Sequence, residues 1–204
     1  VRIYSMTKPI TGVALMKLHE QGLFQLDDPI SKYAPEFADM KVISGMDEKG
    51  NPILVPANRS ITIRDLTRHT AGFASVQHPQ LGKRVSEADV MNTNNTLAQM
   101  ATKLAALPLA FHPGEEWSYG ICVDVQAYLV ERISGKPFDE FVRENITGPL
   151  AMHSTKYVPE DINLLAAMYV RKEDGTLDRM ADSLANSFNS KEWPLKPGGY
   201  GLTS

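Results

Sequence analysis

One cysteine, Cys122, in 204 residues leaves no partner for an internal disulfide and no material for a cysteine-rich zinc site. No apolar run approaches the roughly 18 to 20 residues of a bilayer-spanning helix, which excludes a helical membrane span. Neither sign of charge dominates. The 24 acids and 21 bases give a formal net charge of −3 and a pI near 6, without the basic excess that nucleic-acid binding calls for. Several catalytic signatures are absent too. There is no G-x-S-x-G nucleophile elbow. His19-Glu20 opens an H-E-x-x-H zinc motif, but Leu23 stands at the second histidine, and Gly198-Gly199-Tyr200-Gly201 lacks G-x-G-x-x-G spacing. What remains, 43% hydrophobic and 22% charged, is ordinary for a globular chain of one domain or two small ones.

The patterning is mainly helical. Val1 to Tyr4 predicts a short strand, and Ser5 to Gln21 a helix whose apolar band is wide enough to be buried on most sides, with Pro9 tolerated in its first turn and Gly22 as its stop. Gly45 to Pro56 predicts a hairpin or loop with Lys49-Gly50-Asn51 at its tip. Ile61 to His69 predicts a short helix capped by Thr62 and closed by Gly72. Residues 73 to 95 show no period, the mark of a functional loop or lid. Helices are expected over Leu97 to Leu107, Val123 to Ile133 and Phe138 to Asn145, and strands over Thr155 to Val158 and Ala166 to Arg171, the second turning at Glu173-Asp174-Gly175. His69 reads as structural, Cys122 as a buried small residue, and Asp124 and Glu131 as solvated charges on their helix.

The sharpest feature is Ser5-Met6-Thr7-Lys8. Residues three apart at a helix start share a face, so the Ser5 hydroxyl and Lys8 amine can meet as a nucleophile beside its base, while the helix N-terminus supplies N–H groups for a developing oxyanion. Of thirteen serines only Ser5 has lysine three places on. The competing interpretation is a capping serine and a solvated lysine.

The context of the tetrad is longer. Tyr4 to Thr11, Gly22-Leu23, Leu26-Asp27-Asp28-Pro29-Ile30, Ile61 to Gly72, His112-Pro113-Gly114-Glu115-Glu116-Trp117-Ser118-Tyr119, Gly148-Pro149-Leu150-Ala151-Met152 and Gly198 to Ser204 follow in order. This set resembles the serine β-lactamase and penicillin-binding-protein superfamily, closest to the class C-like carboxylesterases (family VIII) and D-alanyl-D-alanine carboxypeptidases. The resemblance implies an α/β (α+β) two-domain fold, here mainly the helical domain, about residues 26–154, with part of the antiparallel sheet domain bordered by about 1–25 and 155–204. It carries the facing tyrosine of the second motif onto Tyr119, so that Ser5, Lys8 and Tyr119 form the expected catalytic set, with Trp117 and Ile121 as candidate substrate contacts.

The implied activity is hydrolysis of short-chain carboxylic esters through an acyl-enzyme on Ser5, with no metal or organic cofactor and a small-molecule ester as partner. Which of Lys8 and Tyr119 takes the first proton stays open. Oligomeric state and compartment, cytoplasmic or periplasmic, stay open as well. Two departures shape the alternatives. Ile121 stands two residues after the tyrosine, where β-lactamases carry an amide-binding asparagine, which disfavours the alternative of a D-amino-acid peptidase or weak β-lactamase. The third motif (K-T-G, H-x-G or W-G-G) does not follow, and Lys196-Pro197-Gly198 and His69-Thr70-Ala71-Gly72 imitate it out of place. The chain is therefore expected to be the central stretch of a longer protein; a degenerate, non-catalytic binding member is the alternative of another class.

Overall fold

The computed structural model describes all 204 residues, Val1–Ser204. Seven helices, α1 (Thr7–Glu20), α2 (Ile63–Arg68), α3 (Gly82–Ala88), α4 (Leu97–Ala105), α5 (Cys122–Ser134), α6 (Phe138–Val142) and α7 (Asp182–Ala185), are joined by loops and two antiparallel hairpins. The hairpins pair β1 (Lys41–Met46) with β2 (Pro52–Pro56) and β3 (Tyr169–Arg171) with β4 (Leu177–Arg179). This is a helix-dominated α+β architecture with small sheets.

α5 is its centre. All nine residues from Cys122 to Val130 are buried, because α1, α2, α4 and α6 pack around it. A helix enclosed on every side must satisfy its polar side chains inside the protein. Gln126 does so by donating from Nε2 to the Leu66 carbonyl at 3.0 Å, and Asp124 by accepting the Gly199 N–H at 2.9 Å. Asp124 is thus no solvated charge, and Glu131 is half-buried, accepting the Phe138 N–H at 2.9 Å. α1 lies against α5 through Thr7, Thr11, Ala14, Leu15 and Leu18, a single stripe at helical spacing. Val13 and Met16 are exposed and Ile10 is only partly buried, so α1 is buried along one face and not on most sides.

The ends of α2 fix the loops around the site. Thr62 and Asp65 form a reciprocal capping box, and Asp65 also takes both arms of the Arg59 guanidinium at 2.6 and 2.9 Å. At its other end α2 stops on His69 in the left-handed region, φ 58°. Three residues on, Gly72 has φ +91°, and a Cβ there would lie 2.3 Å from the Phe111 carbonyl oxygen, so this close crossing admits only glycine.

The first hairpin matches its sequence signal, with Asp47 Oδ1 accepting the Lys49 and Asn51 N–H groups across the turn. The strands expected over Val1 to Tyr4 and Thr155 to Val158 are single bridges: Thr203 pairs with Arg2 on one side and Lys156 on the other. Residues 73 to 95 are ordered around α3, with Phe73, Ala74, Leu81 and Val90 buried. Their period was hidden because short turns and one short helix alternate too quickly for any window to register. No helix is long and apolar enough to cross a membrane.

Candidate active site

Ser5 does not cap α1. It sits in a 3-10 turn, Tyr4–Met6, immediately before the helix, and no side-chain cap bond is made at either boundary. In a 3-10 turn residues i and i+3 nearly eclipse, which brings Lys8 over Ser5 more directly than an α-turn does. Lys8 Nζ donates to Ser5 Oγ at 3.0 Å. The turn is entered through Tyr4 at φ 44°, a left-handed conformation that costs about 1 to 2 kcal/mol for a residue with a side chain. The Ser5 N–H has no acceptor within the chain. It is free for an oxygen that develops charge next to Ser5.

Tyr119 reaches the same point from the far side of the cleft. Its Oη is 3.4 Å from Ser5 Oγ, and Lys8 Nζ lies 5.0 Å from its ring centroid. The Lys8 ammonium, followed by the Ser5 hydroxyl, pulls the Tyr119 phenol below its usual value. Lys8 is in turn held from behind, donating to the Gly199 carbonyl at 2.7 Å. Thr11, one turn further along α1, donates to the Gly198 carbonyl at 2.7 Å.

His69 secures the loop that carries Tyr119. Its carbonyl accepts the Ser118 N–H at 2.9 Å and its Nδ1 accepts the Gly120 N–H at 3.3 Å, while its ring lies 4.9 Å from the Tyr119 ring. Burial, then the nearby Lys8, lowers the His69 pKa, which favours the neutral imidazole that can accept that bond.

The sequence-derived residues divide. Ser5, Lys8 and Tyr119 converge on one point. Ile121 lines an apolar cavity of about 360 Å³ behind Tyr119, walled by Phe73, Val85, Met91 and Leu104. Trp117 is 66% exposed, near His69 and Tyr119 but not lining that cavity. Asp124, read from the sequence as a solvated charge, Thr11 and the Gly198-Gly199 pair belong to the site although no role is assigned to them from the sequence. A carboxylate within the helical stretch Cys122 to Val130, which otherwise carries no charged side chain, is the available signal for the first. No group of three or more His, Cys, Asp or Glu side chains is placed to hold a metal ion.

The chain is 31% identical over 182 residues to monacolin J acid methylbutanoyltransferase of Aspergillus terreus, covering 89% of this chain and 43% of that protein. It is 29% identical over 206 residues to esterase EstB of Burkholderia gladioli, covering 98% and 47%. The unliganded, selenomethionyl structure of simvastatin synthase from Aspergillus terreus superposes with a TM-score of 0.82 at 29% identity, covering 98% of this chain and 50% of that one. The chain thus spans about half the length of the relatives it matches. Their names include both esterases and acyltransferases. The β-lactamase family model matches residues 1–203, and the chain belongs to that family.

Proposed function

We propose that this chain carries the acylation centre of a serine esterase acting on small carboxylic esters, with Ser5 as nucleophile and Lys8 and Tyr119 as its proton-transfer partners. The observation that supports this most directly is the position of Ser5 Oγ, 3.0 Å from Lys8 Nζ and 3.4 Å from Tyr119 Oη. Ser5 Oγ attacks the ester carbonyl while its proton passes to the Tyr119–Lys8 pair, and the carbonyl oxygen becomes an oxyanion beside the Ser5 N–H. The proton then goes to the leaving alcohol as the C–O bond breaks, leaving acyl-Ser5. Water, deprotonated by the same pair, attacks the acyl carbon and restores the serine.

The cavity lined by Ile121 favours an aliphatic acyl group over an amide-bearing one. Ile121 itself offers a substrate amide no hydrogen-bond partner, and a hydrogen bond left unmade there costs roughly 1 to 3 kcal/mol. Transfer of the acyl group to an alcohol in place of water is the second activity supported, because monacolin J acid methylbutanoyltransferase is named for such a transfer.

Fluorophosphonate labelling and p-nitrophenyl butyrate turnover, compared with Ser5→Ala, test the assignment. Labelling and turnover that vanish with Ser5 are expected. A folded chain that is neither labelled nor active points to a binding member of the family, and equal activity in Ser5→Ala removes Ser5 as nucleophile. Product analysis with added butanol separates hydrolysis from transfer.

A further inference from the structure

Asp124 is buried, carries a potential charge, and has no part in the proton transfers just described. Its Oδ1 accepts the Gly199 N–H at 2.9 Å, and a Cβ on Gly199 would lie 3.1 and 3.2 Å from its two carboxylate oxygens. The turn it holds is wedged between two helices: a Cβ on Gly198 would lie 2.4 Å from the Val123 carbonyl oxygen and 3.0 Å from Thr11 Cγ2. The two glycine carbonyls then grip α1, Gly198 through Thr11 and Gly199 through Lys8. A chain of contacts therefore runs from the α5 carboxylate through the Gly199 peptide to the ammonium beside Ser5. A carboxylate acceptor makes the Gly199 bond stronger than a neutral acceptor does.

We propose that Asp124 is a positioning residue for acyl transfer at Ser5: its ionised carboxylate locks the Gly198-Gly199 turn so that the Gly199 carbonyl sets Lys8 between Ser5 and Tyr119. This rests on the serine esterase assignment above. Burial drives the Asp124 carboxyl up to about 6, against the opposing pull of the Gly199 N–H and Lys8, so the lock opens within an accessible pH range. The titratable groups around Asp124 are Lys8 on α1, Tyr119 before α5, Cys122 on α5 itself, and Tyr157 and Tyr200 from the C-terminal segments. Its direct effect on Tyr119 is a small upward push that opposes the larger downward pull of Lys8.

Asp124→Asn separates charge from shape, since the amide oxygen can still accept the Gly199 N–H. Expected for a variant with wild-type circular dichroism are a kcat on p-nitrophenyl butyrate lower by roughly 10- to 100-fold, a KM within about twofold, and loss of the acid limb of the wild-type kcat–pH profile. The 13Cγ resonance of Asp124 in the wild-type chain, which does not depend on the variant folding, should titrate at the midpoint of that limb. Wild-type kcat in Asp124→Asn, a reduced kcat with the acid limb unmoved, or a 13Cγ midpoint more than about one pH unit from the limb overturns the proposal. Absence of Ser5-dependent turnover in the wild-type chain is a different result: it removes the esterase assignment and the positioning role together.

Discussion

His69 holds Tyr119 by both of its neighbours: the histidine carbonyl binds the Ser118 N–H and the histidine ring nitrogen binds the Gly120 N–H. Tyr119, about half exposed as a residue, is positioned by a residue fifty places earlier in the chain. His69→Ala deletes the ring contact and the Gly120 acceptor while keeping the carbonyl bond. The expected result is a loss of about 1 kcal/mol in stability and a larger proportional loss in kcat. Thermal melts and steady-state kinetics on the same sample check it; equal kcat in the two proteins removes the positioning role.

Tyr119→Phe retains the ring stacked on His69 and removes only the hydroxyl. A fall in kcat on the order of 10²- to 10⁴-fold is expected, with the fold and melting temperature preserved. Because Lys8 lowers the Tyr119 phenol, wild-type kcat should rise with pH through an ionisation below the ordinary tyrosine value of 10.0, and the tyrosinate absorbance should rise with it. In Tyr119→Phe both rises should disappear. A pH profile unchanged by the substitution would assign the base role elsewhere.

Val85 and Ile121 face the apolar cavity from different elements. Val85→Trp should depress turnover of octanoyl esters relative to acetyl esters by about 10-fold, the scale of steric selection in an apolar pocket. Ile121→Asn should raise the low rate on nitrocefin relative to butyrate. Unchanged ratios in both variants would place the acyl group outside this cavity.

The architecture was legible wherever one helix face was apolar and its ends carried capping residues. The Thr62 cap of α2 follows from local chemistry, and so does the hairpin turn at Asp47; α2 itself ends on His69, three residues before the glycine expected to close it. The spacing of Ser5 and Lys8 is local as well, since a single helical turn brings them together. Tyr119 is brought to Ser5 by tertiary packing, and only the family order of motifs pointed to it. Gly199 and Asp124 could not be paired from the sequence at all: their contact joins positions 75 residues apart, and a glycine carbonyl has no sequence signature as a lysine acceptor. The strands expected over Val1 to Tyr4 and Thr155 to Val158 failed for a related reason. A strand needs neighbours on its ladder, and Arg2 and Lys156 each find one bridge to Thr203.

Arg59 and Asp65 tie the loop that precedes α2 to its first turn, and Asp65 is buried while Arg59 remains 43% exposed. Removing the guanidinium leaves a buried carboxylate with hydroxyl and amide partners only. Arg59→Ala should cost roughly 2 to 3 kcal/mol, less than a fully buried pair because water reaches the arginine. Burial raises the Asp65 pKa, but Arg59 and Thr62 more than offset it and leave it below the ordinary carboxyl value of 3.8. Its contribution to stability is therefore complete at neutral pH and is lost as pH falls below about 4 towards the folded-state value. Urea melts between pH 3 and 7 should show this loss in the wild type and a flatter curve in Arg59→Ala.

Asp124 has the opposite sign. Its folded-state pKa of about 6 lies above the 3.8 of a free carboxyl, so the folded chain binds the extra proton between those values and stability falls as pH rises from about 4 to 6. The difference corresponds to roughly 3 kcal/mol at pH 7. Asp124→Asn should accordingly melt higher than the wild type at pH 7, by less than the full amount because the amide NH2 is also buried. A lower melting temperature at that pH would contradict a costly buried charge.

The Gly198-Gly199 pair opens the glycine-rich motif of the sequence, and in the structure it behaves as a bearing surface. Neither residue has the left-handed backbone that glycine alone tolerates; each is small because a helix, a carboxylate or a threonine methyl occupies the space where a side chain would be. Variation at these two positions is therefore limited by how closely α1 and α5 approach. A protein engineer widening this site would have to move a helix before changing either glycine.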